Sequence, residues 1–456
     1  MTTTVDAPTA APGAGAAGPR RPVPLGNIVW FELVKQFSAW RVRLLILLCW
    51  LGPGLLVFGI GQQATLPSDT LFGRWMHTTG WAGSLVVLGW AGTWALPLVT
   101  SVVAGDVFAS EDRLGTWRHV LVAVRSHRRI FAAKAVASVT VIALLVAGLV
   151  VSGVVGGLLA EGNQPLIGLG GQQLSGSEAG NAVLLAWLCV LAPTLALAAI
   201  GLLGSVALGR SPMGLLLPML AALGMQVAQM LPLPVAVRLA LPGYAFISWN
   251  GLFAAPQQLG PLLIGVAVSL LWAVVATALA YLLFLRRDFT NLNNDGAGRR
   301  MLTMGVLPLA GLLAATAGVV ALTTDSSGSG ITQAKVQRSV AAVFAQLYPY
   351  QQMEIHQPAV TAAQLQTTAV CSKNEGLGAQ AGPGNDWRCT VNWIVPGTGV
   401  PTQAVYQLNV TANGRYSADG DGPVQVNGYF VIIANGKATP NPLWQFDGNV
   451  DLLPGR

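Results

Sequence analysis

Seven apolar stretches recur along the chain, at about 44–62, 82–104, 135–160, 181–207, 213–231, 261–285 and 302–323. Each is close to the ~20 residues a helix needs to cross a hydrocarbon core. The segments between them hold nearly all the charge. The pattern predicts about seven transmembrane helices followed by a polar region, 324–456. In that region Val336, Val340, Val343, Phe344 and Leu347 fall at helical spacing, so 332–348 reads as a helix. Strand-like runs follow at 387–395, 404–410 and 429–434, and Ala412–Asn413–Gly414 supplies a hairpin turn, since Asn-Gly favours positive φ. The expected fold class is an all-α polytopic membrane protein with a small C-terminal α+β domain. Ahead of the first span, Trp30, Leu33, Val34 and Phe37 share a helical face, with Glu32, Lys35 and Gln36 off it. Residues 26–43 therefore read as an interfacial amphipathic helix. Residues 1–25 are rich in Ala, Pro, Thr and Gly without an apolar period and read as a disordered tail.

Composition agrees with this reading and charge gives it a direction. The chain is 53% hydrophobic and 9% charged, with a mean hydropathy of +0.57; a soluble domain carries about 25% charged residues. The net charge of +7 points to the anionic leaflet rather than to nucleic acid, because of where the cations lie. With the N-terminus in the cytoplasm, sixteen Lys and Arg fall on cytoplasmic segments, against Arg74 and Arg238 in the opposite loops before the seventh span. An odd number of spans then puts 324–456 outside. Cys371 and Cys389 both lie there, while Cys49 and Cys189 lie in spans. A Cys371–Cys389 disulfide is expected outside the cell; two free thiols are the alternative. Arg20 and Arg21 are followed by Pro22 and Pro24 rather than by an apolar run, which speaks against a cleaved export signal.

The candidate chemistry narrows what could drive such a protein. No Asp, Glu, Lys, Arg or His occupies the central part of a span, which disfavours proton coupling. Sodium coupling through carbonyl oxygens stays open. No Gly-x-x-x-x-Gly-Lys-Ser/Thr phosphate loop occurs, so ATP energy requires another subunit. The outer region offers His356 with Glu354, better read as a surface pair than a metal site, and Asp419 with Asp421, better read as a polar turn than a calcium site. No Ser, His and Asp arrangement is readable. Neither a metal nor a catalytic site is expected.

The largest cytoplasmic loop, 105–134, starts acidic at Asp106, Glu111 and Asp112 and turns basic. Thr116 is placed to cap a helix with a Trp117, Val120, Leu121, Val124 stripe, and an exposed apolar stripe needs a partner. A basic loop that serves only to orient the spans is the bland alternative. Here the sequence resembles the permease subunits of ABC type-2 exporters. Their loop after the second span typically reads Glu-Arg-Glu-x-Gly-Thr, then Leu-rich residues, Pro-Val-Ser-Arg, Ile and Lys. The chain matches at Glu111, Gly115, Thr116, Leu121, Ser126, Ile130 and Lys134, and departs at Val124 and His127 and in the charge order of Asp112 and Arg113. The resemblance implies an ATPase-coupling helix made of Glu111, Gly115, Thr116, Trp117, Leu121, Ser126 and His127. By the same resemblance 26–43 is an elbow helix, and Arg286, Arg287 and Asp288 end the sixth span as usual.

The resemblance covers about 26–290 and divides the chain. Residues 44–290 would form the six-span transport unit, 291–323 a cytoplasmic linker and a seventh span, and 324–456 an extracytoplasmic domain. It implies a second permease copy, as homodimer or paralogue heterodimer, and an ABC ATPase subunit that holds ATP and magnesium; this chain holds no cofactor. Gly153 and Gly157 form a Gly-x-x-x-Gly suited to close helix approach, a pattern also common by chance. Met219, Gln226 and Met230 share a face of the fifth stretch, with Gln229 one turn from Gln226. These four are candidates for the conduit or dimer seam; an intrahelical contact for the glutamines is the alternative. Residues 232–260 carry Pro232, Pro234, Pro242 and Pro256. The resemblance makes them short re-entrant helices with Tyr244 and Phe246 as an outer gate; an interfacial loop with aromatic anchors is the alternative. The expected function is export of a hydrophobic or amphipathic substrate (drug, peptide, lipid or natural product) across the plasma membrane. A membrane-anchored envelope sensor or assembly factor is the rival class. The Ala-, Gly- and Val-rich usage suggests an actinobacterial source.

Overall fold

The computed structural model describes residues 23–62, 79–209, 212–287, 289, 298–324, 328–434 and 436–453. The expectations on residues 1–22, Arg74, Arg210, Asp288 and the linker at 290–297 lie outside these. The protein is mostly helical, with a C-terminal sheet region. Among the described residues six helices are long and apolar enough to span a membrane. They are α2 (Trp40–Gly61), α3 (Gly80–Val103), α6 (His127–Glu161), α7 (Gly176–Leu208), α11 (Leu259–Leu285) and α12 (Leu302–Thr323). The predicted fifth stretch also forms a helix, α8 (Pro212–Met230). Its apolar part, Gly214–Met230, is shorter than the six. At ~1.5 Å per residue it extends about 26 Å, a little under a typical ~30 Å hydrocarbon core.

Further helices are α1 (Leu25–Ser38), α4 (Ala109–Leu114), α5 (Trp117–Val124), α9 (Val235–Leu239), α10 (Pro242–Ala245), α13 (Gln333–Glu354) and α14 (Val424–Asn427), and a turn of helix at Gly298–Met301 leads into α12. A two-stranded pair, β1 (Leu166–Ile167) and β2 (Gln173–Leu174), lies in the α6–α7 connection. Helix α6 has 35 residues, about 52 Å at ~1.5 Å each, so it overshoots a bilayer core. Its first turns carry Arg128, Arg129 and Lys134, residues suited to the region beyond the hydrocarbon. Helix α7 begins with a capping box in which Ser175 and Glu178 satisfy each other's backbone N–H groups.

Small residues set the bundle's closest packing. Helix α6 packs on α2 and α3, and a Cβ on Gly156 would lie 2.5 Å from the Gly54 backbone. A Cβ on Gly157 would lie 2.0 Å from the Gly80 carbonyl oxygen. The Gly153–Gly157 motif thus serves close helix approach within one chain. Pro53 interrupts α2, and the Gly54 N–H donates to Ser152 Oγ of α6 at 2.8 Å.

The C-terminal region is a five-stranded antiparallel sheet in the order β3 (Thr368–Lys373), β4 (Gly384–Ile394), β5 (Pro401–Val410), β6 (Arg415–Gly420), β9 (Gln445–Asn449). A separate hairpin, β7 (Val431–Ala434) and β8 (Lys437–Pro440), is inserted before β9. Alternation along β5 buries Ala404, Tyr406, Leu408 and Val410 on one face, against Val336, Val340 and Phe344 of α13. The third strand-like run was expected at 429–434, but the sheet also uses 415–420 and 445–449, which lack a strong apolar alternation. At the β5–β6 turn only Gly414 takes positive φ, at 89°. Cys371 and Cys389 are direct cross-strand partners and are joined as a disulfide.

Candidate functional site

Two places concentrate buried polar groups. The first is the 105–134 loop. Phe108 and Ala109 present the opening N–H groups of α4, and Ser205 Oγ of α7 accepts from both, at 3.0 and 2.9 Å. Helix α4 ends at Gly115, whose φ of +67° is left-handed and open to glycine at no steric cost. Helix α5 ends on Arg125, also left-handed, and Ser126 N-caps α6. The result is a tight pair of short helices joined through Gly115 and Thr116.

Buried charges anchor this pair. Glu111 is 0% exposed and pairs with Lys134 of α6 at 2.7 Å, with Lys35 of α1, and accepts from the Thr116 hydroxyl. Lys134, also 0% exposed, reaches Glu32 of α1 at 3.0 Å and the Val107 carbonyl at 3.3 Å. Glu32, Lys35, Glu111 and Lys134 thus form a neutral four-charge cluster tying α1, α4 and α6 together. Asp106 is held by Arg41 at 2.7 Å and Arg113 at 2.5 Å. Asp112 accepts from the Trp117 indole at 2.6 Å and pairs with Arg287, just past α11, at 2.8 Å. Burial pushes the Glu111 carboxyl upward, but Lys134, Lys35 and Thr116 outweigh it and hold it at about 2. An aromatic group backs the charges: Phe108 lies 5.1 Å from Phe284 and 5.5 Å from Phe131, and Trp117 5.1 Å from Phe289.

The expected coupling residues are therefore brought together, in roles other than those their spacing suggested. Thr116 makes no capping hydrogen bond; its hydroxyl is taken by Glu111. The Trp117, Val120, Leu121, Val124 stripe is not left open for a partner. Trp117 is buried and the other three pack against the bundle core. The outward surface is instead Leu114 (69% exposed), Gly115, Arg118, Val122 (65% exposed) and Arg125. Arg118, Val122 and Arg125 follow at i, i+4, i+7 and share a face. Sequence reasoning passed over Leu114 and Val122 because they fall off the apolar stripe. His127 is exposed and stacks on Phe289 at 5.6 Å.

The second place lies at the other end of the bundle. Residues 232–260 form α9, α10 and a 3₁₀ turn at Ser248–Phe253, and 235–254 are nearly all buried. Tyr244 joins the core of the C-terminal region, and a Cβ on Gly92 of α3 would meet Phe246 at 3.3 Å. Tyr244 thus lies under the C-terminal region, while Phe246 belongs to the bundle core. A small polar cleft runs beside them, lined by Tyr244, Ser248, Asn250, Gln258, Asn413 and Asn449 among others. On α8 the four candidates separate. Gln229 is buried and donates to the Arg238 carbonyl at 3.2 Å, and Met225 beside it packs on Gly243. Met230 is 78% exposed, while Met219 and Gln226 are half-buried. Gln229 is thus held through its Nε2 by a carbonyl of its own chain.

Among the described residues no group of three or more His, Cys, Asp or Glu is placed to hold a metal ion. No model of a protein family matches the chain, and comparison with curated proteins and with solved structures gives no match.

Proposed function

We propose that the chain is the permease subunit of an ATP-driven exporter of the ABC type-2 kind, with ATP and magnesium held by a partner ATPase. The observation that carries this reading is the loop of α4 and α5. A buried neutral charge cluster fixes it rigidly to α1 and α6, yet it presents a compact apolar and basic surface, Leu114, Gly115, Arg118, Val122 and Arg125, outward. A force-transmitting contact needs such a rigid mount, because a loop that yields dissipates the partner's motion. The order of Glu111, Gly115, Thr116, Leu121, Ser126, Ile130 and Lys134 supports the family, and the absence of a phosphate loop supports a separate ATPase.

In this reading α8 is a seventh, short span, and the charge asymmetry places the loop in the cytoplasm and the C-terminal region outside. The Cys371–Cys389 disulfide fits an outer, oxidising location. Two permeases, identical or paralogous, form the path. Its cargo is hydrophobic or amphipathic: a drug, peptide, lipid or natural product. Arg118→Glu with Val122→Asp alters only the exposed face of α5. In membranes from the native host the wild type should co-purify with an ATPase and the double variant should lose it, with unchanged thermal stability. Wild-type protein that recovers no ATPase would sink the reading and favour an envelope sensor or assembly factor.

A further inference from the structure

The C-terminal region is fastened to residues 232–260 rather than tethered above them. Arg238 of α9 is 1% exposed, and its guanidinium donates to three main-chain carbonyls. These belong to Leu233, at 3.1 Å, to Ser329 in the segment entering the outer domain, at 2.7 Å, and to Ala412 in the β5–β6 turn. All three partners are neutral, so the buried charge is held by carbonyl dipoles alone. Pulling any one piece away strips a charged donor of a partner in a dry place, which is far costlier than in water. Other contacts cross the same seam. Gln258 and Asn449 exchange hydrogen bonds of 2.7 and 2.8 Å, and the Val235 N–H donates to the Gly328 carbonyl at 2.9 Å. Val235, Leu239 and Tyr244 share one hydrophobic core with Val336, Val340 and Phe344 of α13.

The same segment also meets the bundle: Leu241, Phe246, Trp249, Leu252 and Phe253 belong to the bundle's hydrophobic core. Close approaches such as Gly265 with Ala245, and polar contacts such as Gln172 with the Phe253 carbonyl at 2.9 Å, add to that packing, but among the described residues no buried charge crosses there as Arg238 does on the other side. Near the start of α7, Gln173 Nε2 lies 4.0 Å from Met353 Sδ of α13. We propose that residues 232–260 and the C-terminal domain are one rigid roof pinned by Arg238, and that this end of the bundle opens only when both move together. The domain then acts as the moving half of the gate.

The fastening does not depend on the transport reading; the gating rests on it. Two arms keep them apart. In the first, hydrogen exchange is followed on the full chain in lipid nanodiscs. Arg238→Gln should speed amide exchange in both 235–254 and 411–415, on the order of tenfold or more, the equivalent of one lost charge-assisted hydrogen bond. If Arg238→Gln does not fold, Gln258→Ala should loosen the same two segments less strongly. Loosening on one side only, or on neither, overturns the roof. In the second arm, Gln173→Cys and Met353→Cys are bridged by a reducible bis-methanethiosulfonate cross-linker, which spans the reach of the two longer side chains replaced, stapling the roof to the α6–α7 connection. With the partner ATPase present, the cross-linked protein should lose substrate transport and reduction should restore it. Full transport by the stapled protein overturns the shared movement. A chain that transports nothing even when reduced fails the function proposed above, while the exchange result stands.

Discussion

Lys134 is the residue on which the loop's mount depends, and its removal can be worked through. Its ammonium lies 2.7 Å from Glu111 and 3.0 Å from Glu32, with none of the three exposed beyond a few per cent. At an effective dielectric of about 20, each pair gains on the order of 6 kcal/mol of gross attraction, largely offset by the desolvation of all three ions. The net worth of the cluster is thus modest, but breaking it is not. Lys134→Met would leave two buried carboxylates sharing the half-exposed Lys35. Removing one partner of a buried pair costs about 3–5 kcal/mol. At ~1.4 kcal/mol per factor of ten, amides in 106–124 should exchange about a hundredfold to several thousandfold faster in nanodiscs, with the centres of α7 and α11 unaffected. Adding Glu32→Gln should recover part of the loss, since one uncompensated charge is removed with it. If Lys134→Met leaves loop exchange within about twofold of wild type, the cluster does not hold the loop and the rigid mount is wrong.

Four further outcomes follow from the same geometry. Glu111 is held at about 2, below the ordinary 4.5, so its contribution is complete above pH 4.5 and fades as pH falls towards 2. Loop protection should therefore drop across that window in the wild type, and Glu111→Gln should abolish that dependence. Gly115→Ala meets no neighbour, yet its φ of +67° should still cost about 1–2 kcal/mol, read as a faster-exchanging loop that keeps its contacts. Replacing both Cys371 and Cys389 by Ser should destabilise the C-terminal domain by about 3 kcal/mol, seen as a lowered unfolding midpoint that reductant reproduces in the wild type. Gly156→Leu sets a side chain against the Gly54 backbone, so α2 must shift, and the variant should show weakened α2–α6 packing by cross-linking and reduced yield of folded protein.

The helices were legible because each is a local, periodic fact: a run of apolar residues long enough to cross lipid must satisfy its own backbone. The Asn-Gly turn before β6 was legible for a similar reason, whereas the cap expected at Thr116 is not made and Ser126, where none was expected, makes one before α6. The site was only half legible. Glu111, Gly115 and Thr116 stand out by order and spacing, but their partners Lys35, Glu32 and Arg287 lie far along the chain. Which cation answers which carboxylate follows from how α1, α6 and α11 pack, and no local pattern encodes that.

Apolar faces were the weakest part. In lipid the surroundings are as apolar as the protein interior, so a hydrophobic stripe does not say which way it turns. Thus on α8 Gln229 turns to its own chain while Met230 does not. In the loop at 105–134, off the spans, Trp117 and its stripe face inward because the end of the bundle covers them, while Leu114 and Val122 face out. By itself the sequence determined that the chain is a helical membrane protein with an appended sheet region, because length, hydropathy and charge placement are sums over residues. Only the tertiary structure decided that the loop at 105–134 hangs on a buried charge cluster and that Arg238 binds the C-terminal domain to residues 232–260. Both depend on side chains from distant segments sharing a dry space, where an unmatched charge is too costly to leave unpaired.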